Sequence, residues 1–291
     1  MVRHHHLVSL PVESLVDVAC AVCGSRRCAE LGIDNGYHIQ KCQEPDCGFV
    51  YVNPRPMGEQ IEALYAEFYD EDEEVPEIWE DEMGGIFREC ADWLCERQRT
   101  GCVLDVGCAF GHFLASMEAR GWTTVGIEPS PVAAEAAAAR LRGEVQTGVF
   151  EDMELADDGF DALVAVYVLE HVAEPRGFLE KMKRVLRPGG LAIVRVPYNE
   201  PILPLNRLLG RSLMAAPAHL NDFSPRSLRR LALDVGFSEV DVRVGARRRA
   251  SDPVERIGAT VLGGLGRGVE IVTGGRWIFP WVGSLSYRLI A

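Results

Sequence analysis

From Gly101 onward the apolar positions of this 291-residue chain switch repeatedly between two periods. Cys102 to Val106 is a short apolar run closing in glycines, and Gly111 to Arg120 repeats its apolar residues at helical spacing. Thr123 to Ile127 is strand-like, and Pro131 to Arg142 is an alanine-rich helix. Further strands are expected at 144–149, 161–166 and 191–196, with a helix over 175–186 stopped by Pro188-Gly189-Gly190. Ser224-Pro225 supplies an N-cap and first-turn proline for a helix closed by Gly236, and 240–244 and 285–290 read as closing strands. This alternation predicts a doubly wound α/β sheet.

Upstream the pattern differs. Residues 20–57 are rich in cysteine and turn formers and read as a small module. Between Glu59 and Glu82 there are 12 acids and no Lys or Arg. Ile61, Leu64, Tyr65 and Phe68 follow helical spacing there, and Asp70 to Glu74 reads as a linker or mobile cover. Gly84-Gly85 then precedes a helical pattern at Ile86, Cys90, Trp93 and Leu94. The expected division is a module over 1–57, an acidic helical linker over 58–85, and a larger domain over 86–291 with an insertion near 198–224.

Apolar residues at 47% and charged residues at 25% suit a full core and exclude disorder. Thirty basic against 43 acidic residues give a net charge of −13, a field that repels polyphosphate and argues against nucleic acid as partner. The run from Arg226 on is the exception, with 11 Arg and no Lys against 6 acids. No apolar run is long enough to span a bilayer, so stable membrane insertion is not expected. Glu13, Asp17 and a proline interrupt the first 20 residues, which do not read as a signal peptide. Five of the nine cysteines fall within the first 47 residues, pointing to metal before disulfides and to a reducing cytoplasm. The histidines at 4–6, the segment 245–280 and the oligomeric state are assigned nothing.

The central motif is Val103-Leu-Asp-Val-Gly-Cys-Ala-Phe-Gly-His112, a strand ending in Gly107 with Gly111 opening a helix. Two cofactor classes compete for such a turn. A dinucleotide needs Gly-x-Gly-x-x-Gly, but here the second position is Ala109 and the third His112, and Asp105 adds negative charge where pyrophosphate must bind. S-adenosylmethionine carries no phosphate and presents a sulfonium and an ammonium, which suit an acid at 105. Glu128 lies 21 residues after Gly107, the spacing of a ribose-binding acid.

The blocks VLDVGCAFGHFL, VGIEPS, FDALVAVYVLEHVAEP and LRPGGLAIVRVP, in that order, resemble the class I S-adenosylmethionine-dependent methyltransferases. The resemblance implies a Rossmann-like α/β sheet of seven strands with the last antiparallel. It places Asp105, Gly107, Cys108, Ala109 and Gly111 at the methionine end of the cofactor, Glu128 at the ribose, and Phe150 and Glu151 near the adenine, although Phe150 can equally be core. Ala109 replaces a common middle glycine, a change expected to be harmless if its backbone angles are ordinary.

Cys20-x2-Cys23 and Cys42-x4-Cys47 form two knuckles 18 residues apart, each followed by glycine. Four thiolates are what Zn²⁺ prefers, and a fully protein-ligated site is structural; Cys28 is an alternative ligand. The block CAVCG…KCQEPDCGFVYVNPRP resembles the zinc-ribbon-like N-terminal module of bacterial methyltransferases acting on sugars and secondary metabolites. That implies a small-molecule acceptor.

Methyl transfer requires a group to remove the acceptor's proton, and His219 and His171 are the candidates. The segment around His219 resembles the Tyr-x-Glu-His stretch of sugar C-methyltransferases, but Ala216 and Ala218 stand at the Tyr and Glu positions. This favours oxygen over carbon as the methylated atom. Tyr167 and Tyr198 are expected to line the acceptor space and Asp222 to orient His219. The alternatives are a C-methyltransferase of a nucleotide-sugar or lipid-linked acceptor, a nicotinamide oxidoreductase, and a non-catalytic cofactor-binding module.

Overall fold

The computed structural model describes residues 15–57, 60, 75–244, 265, 268, 272 and 284–291. The expected helix carrying Ile61 to Phe68, the acidic run 70–74 and nearly all of 245–280 lie outside the described residues.

The N-terminal part contributes β1 (Cys28–Asp34), β2 (Tyr37–Cys42) and β3 (Val50–Val52). Then come α1 (Val75–Arg97), β4 (Cys102–Val106), α2 (His112–Glu118), β5 (Thr123–Glu128), α3 (Pro131–Arg140) and β6 (Glu144–Thr147). After a 3₁₀ turn at Phe150–Asp152 follow β7 (Phe160–Val166), α4 (Pro175–Val185) and β8 (Leu186–Pro197). The chain closes with α5 (Leu203–Leu208), β9 (Asn221–Asp222), α6 (Pro225–Asp234), β10 (Glu239–Arg243) and β11 (Ser284–Ile290).

The seven-stranded sheet has the order β10-β11-β8-β7-β4-β5-β6, and β11 runs antiparallel to both neighbours. β4, β5, β6, β7 and β8 are parallel, and helices connect β4 to β5, β5 to β6 and β7 to β8. Successive side chains of a strand face opposite sides, and the core divides accordingly. Leu104, Val106, Leu163, Ala165 and Val194 join one cluster with Phe178 and Met182 of α4 and Leu228 of α6. Val103, Ala162, Val164 and Ile193 join a second with Ile86, Cys90 and Leu94 of α1 and Phe113 and Met117 of α2. Burial on both faces explains why these strands read as continuous apolar runs.

Local chemistry sets the helix ends. Ser130 accepts from the Ala133 N–H before Pro131, and Ser224 and Ser227 form a reciprocal capping box before Pro225. Gly236, at φ 96°, turns the chain after α6. Two boundaries differ from expectation. α1 begins at Val75 and runs through Gly84-Gly85, so the glycine pair does not mark a helix start; packing of Met83 and Ile86 onto the sheet outweighs glycine's low propensity. Pro188-Gly189-Gly190 becomes an irregularity within β8, whose register against β7 shifts between Phe160 and Ala162.

A second, four-stranded sheet has the order β1-β2-β3-β9. Its last strand comes from the insertion: Val50 pairs with Asp222 and Tyr51 with Asn221. Asp34 fastens the same insertion, its Oδ2 accepting from Ser212 Oγ at 2.9 Å and from the N–H groups of Leu213 (3.1 Å), Met214 (2.9 Å) and Ala216 (3.3 Å). Phe49 packs on Phe223 with ring centroids 4.9 Å apart, so the cysteine module and the large domain share one core.

Candidate functional site

The turn after β4 is built from left-handed residues: Gly107 (φ 73°), Ala109 (φ 46°) and Gly111 (φ 76°). A side chain at Gly107 would also meet Val168 Cγ2 at 2.8 Å. At φ 46° Ala109 does not meet the condition of ordinary backbone angles under which a methyl group there would be harmless. An L-residue in this region costs on the order of 1–2 kcal/mol, and strain of this kind gathers at functional turns. The N–H groups of Gly107 and Cys108 donate to the Ile127 carbonyl at 2.8 and 3.1 Å, which ties the turn to the end of β5. Glu128 completes the tie: Oε2 accepts from Ala109 N at 2.9 Å and Oε1 from Ser130 N at 3.0 Å.

Asp105 lies at the end of β4, beside this turn, and like Glu128 it is buried. Burial, with the charge of Glu128 adding to it, raises the Asp105 carboxyl well above the usual range. Burial also raises Glu128, against the opposing pull of its two backbone donors. The Cys108 thiol is pushed up by burial and by both acids. Among the described residues no ion pair compensates these two buried carboxyls. His112 fills the position of a dinucleotide's third glycine; its Nδ1 lies 3.0 Å from Arg140 and 3.4 Å from Glu80. Phe150 packs edge-on against Phe178, centroids 5.1 Å apart, with Lys181 Nζ 5.0 Å from its ring centre, and so is a core residue. Neighbouring Glu151 is exposed, its carbonyl accepting from Lys181 at 2.8 Å.

On the other side of the strand ends, the loop after β7 meets the segment before β9. His171 and His219 are edge to face, centroids 4.8 Å apart. His171 Nδ1 donates to the Ala218 carbonyl at 2.7 Å, and its Nε2 is 3.9 Å from Glu170 Oε1. Burial lowers His171 to about 4 and His219 to about 3, so both rings are neutral. Burial lifts Glu170 to about 8, helped by the charge of Asp222, and lifts Asp222 to about 7. Asp222 does not orient His219: its Oδ1 accepts from Asn199 N (3.3 Å) and Nδ2 (3.1 Å), and its Oδ2 has no partner. Asn221 cross-links the two segments, with Nδ2 donating to the Val172 carbonyl at 2.7 Å and the Leu169 carbonyl at 3.2 Å.

Tyr167 has φ 58° and its hydroxyl donates to Ser284 Oγ at 3.1 Å. The same hydroxyl accepts from Nε of fully buried Arg195 at 3.2 Å, whose other nitrogens donate to Ser286 and Ser284 at 2.7 Å. Burial raises the half-buried Tyr198 to about 12. Glu170, Arg195 and Asp34 were not singled out from sequence. A charge inside the run Ala-Ile-Val-Arg-Val was the one available signal for Arg195.

In the N-terminal module Cys20, Cys23, Cys42 and Cys47 bring their sulfurs within 4.8 Å of one another. Cys20–Cys47 and Cys23–Cys42 are 3.6 and 3.5 Å apart. These distances are too long for disulfides. They lie near the edge of about 3.8 Å that four sulfurs make around an ion at about 2.3 Å. Hydrogen bonds from Cys20 hold Cys47 down while the same bond and burial push Cys20 up, so the cluster yields a thiolate readily. Cys28 opens β1 and stands outside the cluster, so it does not replace a ligand.

A family model described as a methyltransferase domain matches residues 78–242. An uncharacterised methyltransferase of Mycolicibacterium vanbaalenii is 35% identical over 123 residues, 41% of this chain and 44% of its own length. One from Mycolicibacterium gilvum is 39% identical over 95 residues, 32% and 37% of the two chains. The chain thus spans less than half the length of these relatives. Among solved structures, a chain of the Haloferax volcanii complex of the Trm112 methyltransferase activator with a putative methyltransferase superposes with a TM-score of 0.55 at 18% identity, covering 81% of this chain and 99% of that one. The Burkholderia thailandensis 1,6-didemethyltoxoflavin-N1-methyltransferase, with 1,6-didemethyltoxoflavin and S-adenosylhomocysteine bound, gives 0.55 at 16% identity over 91% and 98%. At these identities the likeness is one of fold.

Proposed function

The chain belongs to the methyltransferase-domain family, with the class I sheet, and from that membership we propose that it methylates a small molecule with S-adenosylmethionine, at an oxygen of a sugar or secondary metabolite. The observation that carries the cofactor reading is the buried Asp105–Glu128 pair at a glycine turn, with no ion pair to either among the described residues. When bound, the cofactor supplies an electrophilic methyl group on a sulfonium centre. Asp105 would hold its ammonium end, Glu128 its ribose hydroxyls, and the backbone from Gly107 to Gly111 its methionine chain. Glu151 lies at the 3₁₀ turn where the adenine would end.

The acceptor would sit between the strand ends and the segment 198–224, against Tyr167, Tyr198 and the paired histidines. Small-molecule action also fits the neighbour whose bound ligand is 1,6-didemethyltoxoflavin. His219 is neutral and part-buried, with His171 beside it, and would take the proton of a hydroxyl. Ala216 and Ala218, where keto-sugar C-methyltransferases carry Tyr and Glu, support oxygen over carbon. Zinc on the four cysteines would fix the module whose sheet takes in β9, and so brace the loop bearing His219. Among the described residues no helix is long and apolar enough to cross a membrane. Free thiols in this number suit the cytoplasm.

The test is a screen of hydroxylated small molecules with detection of demethylated cofactor, using wild type and His219→Ala. Turnover on a hydroxyl acceptor that falls in the variant while cofactor affinity holds is the expected result. Undiminished turnover removes His219 from the chemistry.

A further inference from the structure

Glu170, His171 and His219 gather where the loop after β7 meets the segment before β9, and each offers one ligand atom within 4.8 Å of the others. Glu170 is 1% exposed, and its Oε2 has no hydrogen-bond partner. Leaving a buried carboxyl oxygen unpaired is costly, and such a group either keeps its proton or takes a cation in its place. Asp222, also buried, has a second orphan oxygen, Oδ2. His171 is held as a ligand usually is. His171 Nδ1 donates to a backbone carbonyl at 2.7 Å, which leaves Nε2 toward the cluster, 3.9 Å from Glu170 Oε1. The loops are braced before any ion arrives: the Glu170 carbonyl accepts from Leu220 N at 2.8 Å and Asn221 N at 3.0 Å. Ligands around an ion at about 2.1 Å stand roughly 3–4 Å apart, so side-chain rotations that move the ligand atoms by up to about 1–2 Å would close the set.

We propose that Glu170, His171 and His219 form a binding site for a divalent first-row transition cation, distinct from the four-cysteine cluster. Two imidazoles and one carboxylate suit zinc, iron, cobalt or manganese, and three protein ligands leave positions open for a substrate oxygen. Binding of the ion does not depend on the methyl-transfer reading, but its purpose does. Beside the acceptor it would withdraw charge from a hydroxyl oxygen and favour loss of its proton, a role that imidazole alone would fill less well.

The experiment uses the full chain carrying one zinc per molecule on the cysteines, titrated with Co²⁺. Weak visible bands of a nitrogen- and oxygen-bound ion distinguish this site from the intense bands of cobalt thiolates. Wild type is expected to take one further Co²⁺ with a rise in its unfolding midpoint, and Glu170→Gln and His219→Ala are expected to weaken that binding at least tenfold. Both variants are checked for unchanged binding of S-adenosylhomocysteine, which shows that they are folded. No Co²⁺ beyond the cysteine site, or uptake equal in wild type and variants (as from the histidines at 4–6), overturns the proposal. Methyl transfer undiminished by a chelator also overturns the purpose while leaving the methyltransferase reading intact. Cobalt binding without any methyl transfer would leave the site standing and overturn the methyl-transfer reading, and the ion's purpose with it.

Discussion

Asp105→Asn should move stability and cofactor binding in opposite directions. In the folded protein the Asp105 carboxyl is buried near Glu128 and raised well above its ordinary range. A carboxyl raised on folding contributes its stability at low pH, and that contribution fades as pH climbs from the unfolded value of about 3.9 through the folded one. At neutral pH the wild type therefore bears an electrostatic penalty that a neutral, nearly isosteric amide removes. Relieving a strained functional position of this kind is worth about 1–2 kcal/mol. For a chain of this size that raises the unfolding midpoint by about 2–4 °C per kcal/mol. Against this, a charge-assisted contact to the ligand is worth about 1.5–3 kcal/mol, so S-adenosylhomocysteine should bind roughly 10- to 150-fold more weakly. Thermal unfolding at several pH values, paired with calorimetric titration, reads both effects. The variant's advantage should vanish in acid, below the unfolded value, and grow toward neutrality. A midpoint that falls at neutral pH together with unchanged ligand affinity would refute the reasoning.

Three further outcomes follow from the geometry. Asp34→Ala strips the shared acceptor from four donors of the insertion and should cost about 3 kcal/mol or more in denaturant unfolding, whereas Asp34→Asn should cost less. Cys42→Ser should leave the purified protein without its zinc and lower its unfolding midpoint, while Cys28→Ser keeps full metal content by elemental analysis. Glu128→Gln should weaken cofactor binding about tenfold or more, since one of two oxygens that accept backbone N–H groups at the turn becomes a donor.

What the sequence made legible is local. The glycine turn, the acid before it and the acid after β5 lie within a single strand-helix-strand unit, and their spacing is set by that unit's geometry. The two cysteine pairs are likewise readable as short knuckles. Helix and strand positions follow because burial on both sheet faces leaves long apolar runs and capping residues mark their ends. What escaped notice depends on segments far apart in the chain. Asp34 meets its partners across 178 to 182 residues, and β3 pairs with β9 through only Val50–Asp222 and Tyr51–Asn221. Glu170 is not singled out by the sequence, because its orphan oxygen and the approach of His219 to its neighbour His171 are products of tertiary packing. Ala109 shows a limit of another kind: its identity says nothing of its angles, and the hydrogen bonds that the turn's N–H groups donate to Glu128 and Ile127 hold it in a left-handed path.

The central claim is that a sulfonium nucleoside, or its spent thioether, lies across the turn between Asp105 and Glu128. Calorimetric titration of the zinc-loaded protein with S-adenosylhomocysteine tests it most directly. One saturable site per chain, with affinity lost in Asp105→Ala and Glu128→Ala, is the predicted result. Folded protein that gives no heat with either the cofactor or its thioether would contradict it.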